Sequence, residues 1–254
     1  MKHILLANDD GIDSPGLAAL YAVLSAQKDM RVRIIAPDGQ RSAGGHAVTL
    51  WSPIRLRDYD PDRIAIDGTP ADCVKLAEAY FDEPVDLVIS GINNGQNMSV
   101  DIYYSGTVAA AREAVIYGTP GMAVSLSTKD TAAEYTTAAE YALRFARLLF
   151  EHPLPGGTLL NVNVPNLSAD KIRGIKLTRL GQRVYKDGID MRSSPFGQRY
   201  CWRICELLSH TPFEGGDIDA VEAGYVSVTP IKLDATDYES IRVLSDVLPT
   251  AEGL

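Results

Sequence analysis

Cysteine is scarce in this chain, three among 254 residues, and the count is odd. That argues against a disulfide-framed secreted fold and predicts a reducing, cytoplasmic setting. Basic residues are outnumbered, 24 against 33 acidic, for a formal net charge of -9. Gripping a nucleic-acid backbone needs a basic footprint, so a polymeric nucleic-acid partner is not expected. Long apolar runs are missing. Nothing reaches bilayer-spanning length, and Ile4–Ala7 is too short for a signal peptide, so no membrane partner is expected. Also absent are a Walker loop, a Gly-x-Ser-x-Gly elbow, a dinucleotide fingerprint, an internal repeat and a low-complexity segment. Cys201 and Cys205, with only His210 nearby, make a poor zinc set; buried or half-buried thiols are the plainer reading.

What is present is an α/β pattern. Hydrophobic residues make up 46%, enough for one large core. The apolar run His3–Ala7 reads as a strand buried on both faces of a parallel sheet. It leads into Asn8-Asp9-Asp10-Gly11-Ile12-Asp13-Ser14-Pro15-Gly16. Gly11 permits a sharp turn, Ser14 is a natural N-cap and Pro15 suits the first helical position. Further strands are predicted at Val32–Ala36, Ile54–Arg57, Ile64–Ile66, Val85–Ser90 and Met122–Leu126. Leu159–Pro165 reads as the last strand of the parallel core. Helices start at Thr69-Pro70, with Asp72 at the positive end, and after Ser105, closed by Gly118. A capping box of Thr131 and Glu134 is expected to open a long helix to about Phe150. After Asn166 the rhythm changes to strand-like pieces (Ile175–Arg179, Tyr200–Ile204, Tyr225–Thr229) and an amphipathic segment from Tyr238 to Leu248. Residues 167–254 therefore read as a hairpin-rich extension of a 1–166 core, too thin to bury its own apolar face and suited to packing on another subunit.

Loops at the carboxyl ends of parallel strands converge, and ligands bind there in open α/β sheets. These loops bring Asp9 and Asp10, then Ser42, then Asn93, Asn97, Ser105 and Thr107. Two adjacent carboxylates repel each other, and a hard divalent cation relieves that repulsion. Oxygen-only donors favour Mg²⁺, Mn²⁺ or Ca²⁺ over zinc. Ser105-Gly106-Thr107 at a helix start offers backbone N–H groups to a phosphate. Taken singly each feature has a plain explanation: a turn, a loop serine, turn-forming asparagines, a helix cap. Jointly they point to a metal beside a phosphate cradle, the arrangement a phosphoryl hydrolase needs. His46 lies in a site loop and reads as a solvated histidine more readily than as a proton carrier. A phosphoacceptor domain also pairs acidic residues after its first strand. It requires an acceptor Asp after the third strand, where this chain has Gly68, and only Lys129 answers its later lysine.

The motifs Ile4–Gly11, Ala36-Pro37-Asp38 with Arg41-Ser42, Gly68–Val74, Ser90–Asn93, Tyr104–Ala111, Leu160–Pro165 and Gly224–Pro230 run in order along most of the chain. Together they resemble the SurE survival-protein nucleotidases. The resemblance implies a Rossmann-like three-layer α/β core with a mostly parallel sheet. It also implies a C-terminal extension exchanged within a homodimer or homotetramer. The implied activity is that of a metal-dependent phosphatase of the 5′-nucleotidase, acid-type class. It would act on nucleoside 5′- and 3′-monophosphates and on short polyphosphate, with one divalent metal ion, Mg²⁺ or Mn²⁺. Carried over by position, Asp9, Asp10, Ser42 and Asn93 would hold the metal, and Asp9 and Asp10 would be catalytic. Asn97, Ser105, Gly106 and Thr107 would hold phosphate. One departure is Met98-Ser99-Val100, where the family has small or glycine residues after the second asparagine.

Overall fold

The computed structural model describes residues 1–128 and 133–248. The chain runs β1 (Lys2–Ala7), α1 (Pro15–Ser25), β2 (Met30–Pro37), β3 (Leu56–Asp60), β4 (Arg63–Ile66), α2 (Pro70–Tyr80), β5 (Leu87–Asn94), α3 (Gly106–Ile116) and β6 (Gly121–Ser127). It continues through α4 (Tyr135–Glu151), β7 (Thr158–Pro165), β8 (Ile175–Leu177), β9 (Gln182–Ser193), β10 (Arg199–Thr211), α5 (Asp217–Glu222), β11 (Val226–Lys232) and α6 (Tyr238–Ser245).

Nine strands form one sheet in the order β3-β4-β2-β1-β5-β6-β7-β11-β8. From β4 to β7 every neighbouring pair is parallel. Strand β1 explains why. Its residues alternate between two helical layers, and both layers are apolar. Ile4 and Leu6 face the cluster that holds Leu17, Leu20 and Leu24 of α1 and Ala138, Ala142 and Phe145 of α4. Leu5 and Ala7 face Cys73, Val74 and Ala77 of α2 and Ala110 and Ala114 of α3. Each fully buried leucine contributes roughly 1.5–3 kcal/mol of transfer free energy. The result is a Rossmann-like three-layer α/β core. Sequence neighbours run outward from β1 on one side (β2, β4) and from β5 on the other (β6, β7), so the strand order reverses between β1 and β5. That is the switch point, where a crevice opens at the carboxyl edge.

Several local expectations need adjustment. Ser14 does occupy the N-cap of α1, but its side chain makes no cap bond. Its hydroxyl instead accepts from Asn8 Nδ2 at 2.7 Å, because Asn8 organises the turn. The Thr131 half of the capping box lies outside the described residues, and Glu134 is itself the N-cap of α4. The edge strand after the Ser42 loop starts two residues later than predicted and is exposed throughout. Thr69 and Asp72 do form a reciprocal capping box on α2.

The segment after 166 is more than a string of hairpins. Strand β11 pairs antiparallel with β7 and parallel with β8, so both complete the main sheet. Among the described residues only β9 and β10 stand apart, as a two-stranded ribbon. Cys201 and Cys205 lie on it as exposed free thiols, not buried ones. Period-2 burial on a ribbon packed on no second layer has nothing to bury against. The helix α6 has no buried residue.

Candidate active site

The turn after β1 is built by Asn8, which is fully buried. Its Nδ2 donates to Gly11 O at 2.9 Å, and its Oδ1 accepts from Gly11 N at 3.2 Å. Gly11 adopts φ +103°, and a Cβ there would press on the Gly39 backbone at 3.2 Å. Ile12 N then donates to Pro37 O, which seats the turn against the end of β2. The two carboxylates leave this turn in different settings.

Asp9 is 4% exposed and aims at the start of α3. Its Oδ1 accepts a hydrogen bond from Thr107 Oγ1. Gly106 makes that approach feasible: a Cβ there would lie 2.7 Å from Asp9 Cβ. Ser105 caps α3 by accepting from Val108 N at 3.0 Å. The N–H groups of Gly106 and Thr107 belong to the first turn, where no helical acceptor exists, so they point outward beside the carboxylate. The hydroxyls of Ser105 and Thr107 are thus already engaged, and the cradle offered to an anion is backbone. Asp10 is half-buried. Its Oδ2 accepts from Asn94 N at 3.1 Å, a bond across the β1–β5 switch point. Burial pushes its carboxyl above the usual range; the Asn94 N–H opposes this and the Asp9 charge adds to it.

The other predicted ligands approach from both flanks. Arg41 N donates to Asp9 O at 2.7 Å, which ties the loop of the exposed Ser42 to the turn, and Ser42 Oγ accepts from Gln40 Nε2 at 3.1 Å. Asn93 is the penultimate residue of β5, one before the Asp10 partner Asn94. Its Nδ2 is bonded to Gly95 O at 2.7 Å, so the carbonyl oxygen of its amide remains for another partner. Two carboxylates, a hydroxyl and an amide oxygen are hard donors, a set that fits Mg²⁺ or Mn²⁺. Among the described residues no three of His, Cys, Asp and Glu gather as a metal cluster. Any cation here would rest on the carboxylate pair helped by neutral oxygens.

Asn97, expected to hold phosphate, is tied to the neighbouring strands. Its Nδ2 donates to Ser125 Oγ at 2.9 Å and its backbone O accepts from Asn161 Nδ2 and Asn163 Nδ2. The residue is 7% exposed and anchors the loop to the floor of the sheet. Spacing alone cannot separate these roles, because Asn suits both. The Ser99 departure also has a physical reason. Ser99 sits at φ +56°, the left-handed region where glycine is natural. Its Oγ accepts from Arg183 N at 3.0 Å and its N–H donates to Asp217 Oδ2 at 2.9 Å. Those bonds offset the cost of a Cβ in that region, of order 1–2 kcal/mol.

Three residues near the site escaped sequence reasoning in whole or part. His46 is not solvated: its Nε2 lies 2.6 Å from Oε2 of the buried Glu113 on α3. With Gly45 N donating to Tyr104 O, this pair fastens the Ser42 loop over α3. Glu113 carried a signal, an acidic residue amid an alanine-rich helix face. Tyr135, at the start of α4, lines a cavity of about 520 Å³ with Asp10, Asp13, Asp38, Gln40 and Asn94. The clue was its place, at the start of the helix that follows β6.

Comparison with known proteins agrees with this geometry. The sequence model described as Survival protein SurE matches residues 4–187. A 5′-nucleotidase SurE of Symbiobacterium thermophilum is 47% identical over 95% of this chain and 96% of its own. That of Heliobacterium modesticaldum is 46% identical over 97% and 92%. A crystal structure of SurE protein from Aquifex aeolicus superposes with a TM-score of 0.84 at 39% identity, covering 96% of this chain and 99% of that one.

Proposed function

The chain belongs to the SurE family, and from that membership we propose that it is a divalent-metal-dependent phosphomonoesterase. Its substrates are nucleoside 5′-monophosphates and, on the same site, 3′-monophosphates and the end of short polyphosphate. One observation carries the reading: Asp9 is hydrogen-bonded to Thr107 at the start of α3, beside Asp10. A carboxylate pair and a backbone anion cradle therefore share one crevice.

Asp9, Asp10, Ser42 and Asn93 would hold the cation, Mg²⁺ or Mn²⁺. When bound, it supplies Lewis acidity toward a phosphoryl oxygen and offsets charge at the attacking water. The remaining work falls to the chain. Thr107 fixes the rotamer of Asp9. The first-turn N–H groups of Gly106 and Thr107 meet the phosphoryl oxygens, where charge develops in the transition state. Asp10, steadied through one oxygen by Asn94, takes the proton of the attacking water. The ester oxygen leaves opposite that water and takes its proton from solvent.

The assembly belongs to the same reading. Ile189, Met191, Trp202 and Ile204 are each about half exposed or more on β9 and β10. Such an apolar ribbon suits burial against a second subunit in a homodimer or homotetramer. Among the described residues no helix is long and apolar enough to cross a membrane. The test is phosphate release from a panel of 5′- and 3′-monophosphates with Mg²⁺, with Mn²⁺ and after EDTA. Metal-supported release that falls at least about a hundred-fold in EDTA is expected. Equal turnover in EDTA would refute the metal site.

A further inference from the structure

The chain enters α3 through the short 3-10 turn Ser99–Tyr103. This turn is fastened from two sides. Toward α3, Ile102 is 1% exposed and packs with Val108, Ala111 and Val115. The Asp101 carbonyl accepts from Tyr104 N at 3.0 Å and from Ser105 N at 3.1 Å, so the backbone of Asp101 sets the residue that caps α3. The other fastening comes from the root of the β9–β10 ribbon, 82 residues further along the chain. Arg183, whose side chain is 6% exposed, donates from Nη1 to Asp101 Oδ2. Tyr185 donates its hydroxyl to Asp101 Oδ1 at 2.6 Å and accepts from Arg183 Nη1 at 3.2 Å. Asp217 accepts from Ser99 N at 2.9 Å and from Gly181 N, just ahead of β9, at 2.7 Å. Glycine would suit the left-handed backbone at 99, but only a side chain with an acceptor can take the Arg183 N–H. A charge-assisted pair this enclosed is directional, unlike the exposed Arg192–Asp190 pair farther up the ribbon.

We propose that Arg183, Tyr185 and Asp101 are positioning residues: they form a clamp by which the ribbon root sets the phosphate-binding N–H groups of Gly106 and Thr107. This rests on the phosphomonoesterase reading above, which makes those groups the anion cradle. The three residues act through the turn and not on the phosphate itself. Backbone donors stabilise a developing charge only when already aimed at it, and a misplacement of about 1 Å forfeits much of the effect. The carboxylates are held separately, by Asn8 and by the Pro37 carbonyl at their own turn. The clamp therefore bears on phosphate more than on metal.

The test uses the full chain, with inorganic phosphate as the probe. In Arg183→Gln the inhibition constant of phosphate against AMP hydrolysis should rise about ten-fold, while the Mn²⁺ concentration for half-maximal activity stays within about two-fold of the parent. Arg183→Lys keeps a charge for Asp101 and should recover most of the loss. Arg192→Gln opens only the exposed pair and should change nothing. No rise in Arg183→Gln, or an equal rise in Arg192→Gln, would overturn the clamp. Should Arg183→Gln fail to fold, Tyr185→Phe carries the same test, with a rise of about three-fold expected and an unmoved constant counting against the clamp. A second measurement needs no turnover. Amide hydrogen exchange read by mass spectrometry should quicken in residues 99–108 of Tyr185→Phe while β1 keeps the parental rate. Unchanged exchange at 99–108, or an equal rise in β1, speaks against the clamp. If the parent does not hydrolyse AMP, the phosphomonoesterase reading fails by itself, and the exchange measurement still decides whether the ribbon root holds the turn.

Discussion

Strand β1 and the ribbon β9–β10 carry similar apolar residues and meet opposite fates. Leu5 and Leu6 are 1% and 0% exposed, whereas Ile189 and Trp202 are both 61% exposed. The cause is the number of layers around each. Strand β1 lies between α1 and α4 on one face and α2 and α3 on the other. The ribbon pairs only with itself along its length. Strand β1 is paired on both edges and each ribbon strand on one, so both are backbone-paired and the larger difference is burial. The candidate site sits at the end of the buried strand, whose turn is backed by two helical layers. The ribbon meets the rest of the chain mainly near its base, where Arg183 and Tyr185 bond to Asp101.

The contrast is sharpest at Asp9. Asp9→Asn keeps the shape and a hydrogen-bond acceptor for Thr107 while removing a charge. Phosphate release from AMP with Mn²⁺ should fall by at least about a hundred-fold, with the thermal midpoint near that of the parent. Retained activity would show that the carboxylate pair is not the metal site. The next effect is on stability. Leu6→Ala should cost about 2–5 kcal/mol in urea unfolding, and Ile189→Ala less than about 0.5 kcal/mol at protein concentrations where subunits are separate. Comparable losses at the two positions would mean that the ribbon is buried in the folded unit. Smaller again is Gly106→Ala. The new methyl would collide with Asp9 Cβ and with Pro70 Cγ, 3.0 Å away, and cost about 1–3 kcal/mol. Because Asp9 must yield, activity should drop more steeply than stability. A parallel melt and phosphate-release assay separates the two effects.

Much of this was legible in the residues. The unbroken apolar run of β1, the Asp-Asp-Gly turn and the Ser-Gly-Thr helix start each state a local preference, and each element formed where that preference lay. Thr69 with Asp72 is the clearest case, since a capping box closes within four residues. Illegible were the roles that depend on a partner far along the chain. That Asn97 also anchors its loop shows only once Ser125, Asn161 and Asn163 bond to it. His46 reads as solvated until Glu113, 67 residues on, meets its ring. The ribbon's length was underestimated because β9 and β10 lack the alternation that a one-sided core imposes.

The sequence by itself determined the alternation of strand and helix, the position of each βα turn and the kinds of donor those turns carry. These follow from side-chain size, backbone preference and charge within a few residues of one another. Only the tertiary structure decided which donors meet. The reversal of strand order between β1 and β5 brings Asp10 to Asn94 and opens the cavity against Tyr135. The close approach at Gly106 sets Asp9 on the tip of α3. Such contacts join residues tens of positions apart, and no local propensity encodes a distance across a folded sheet.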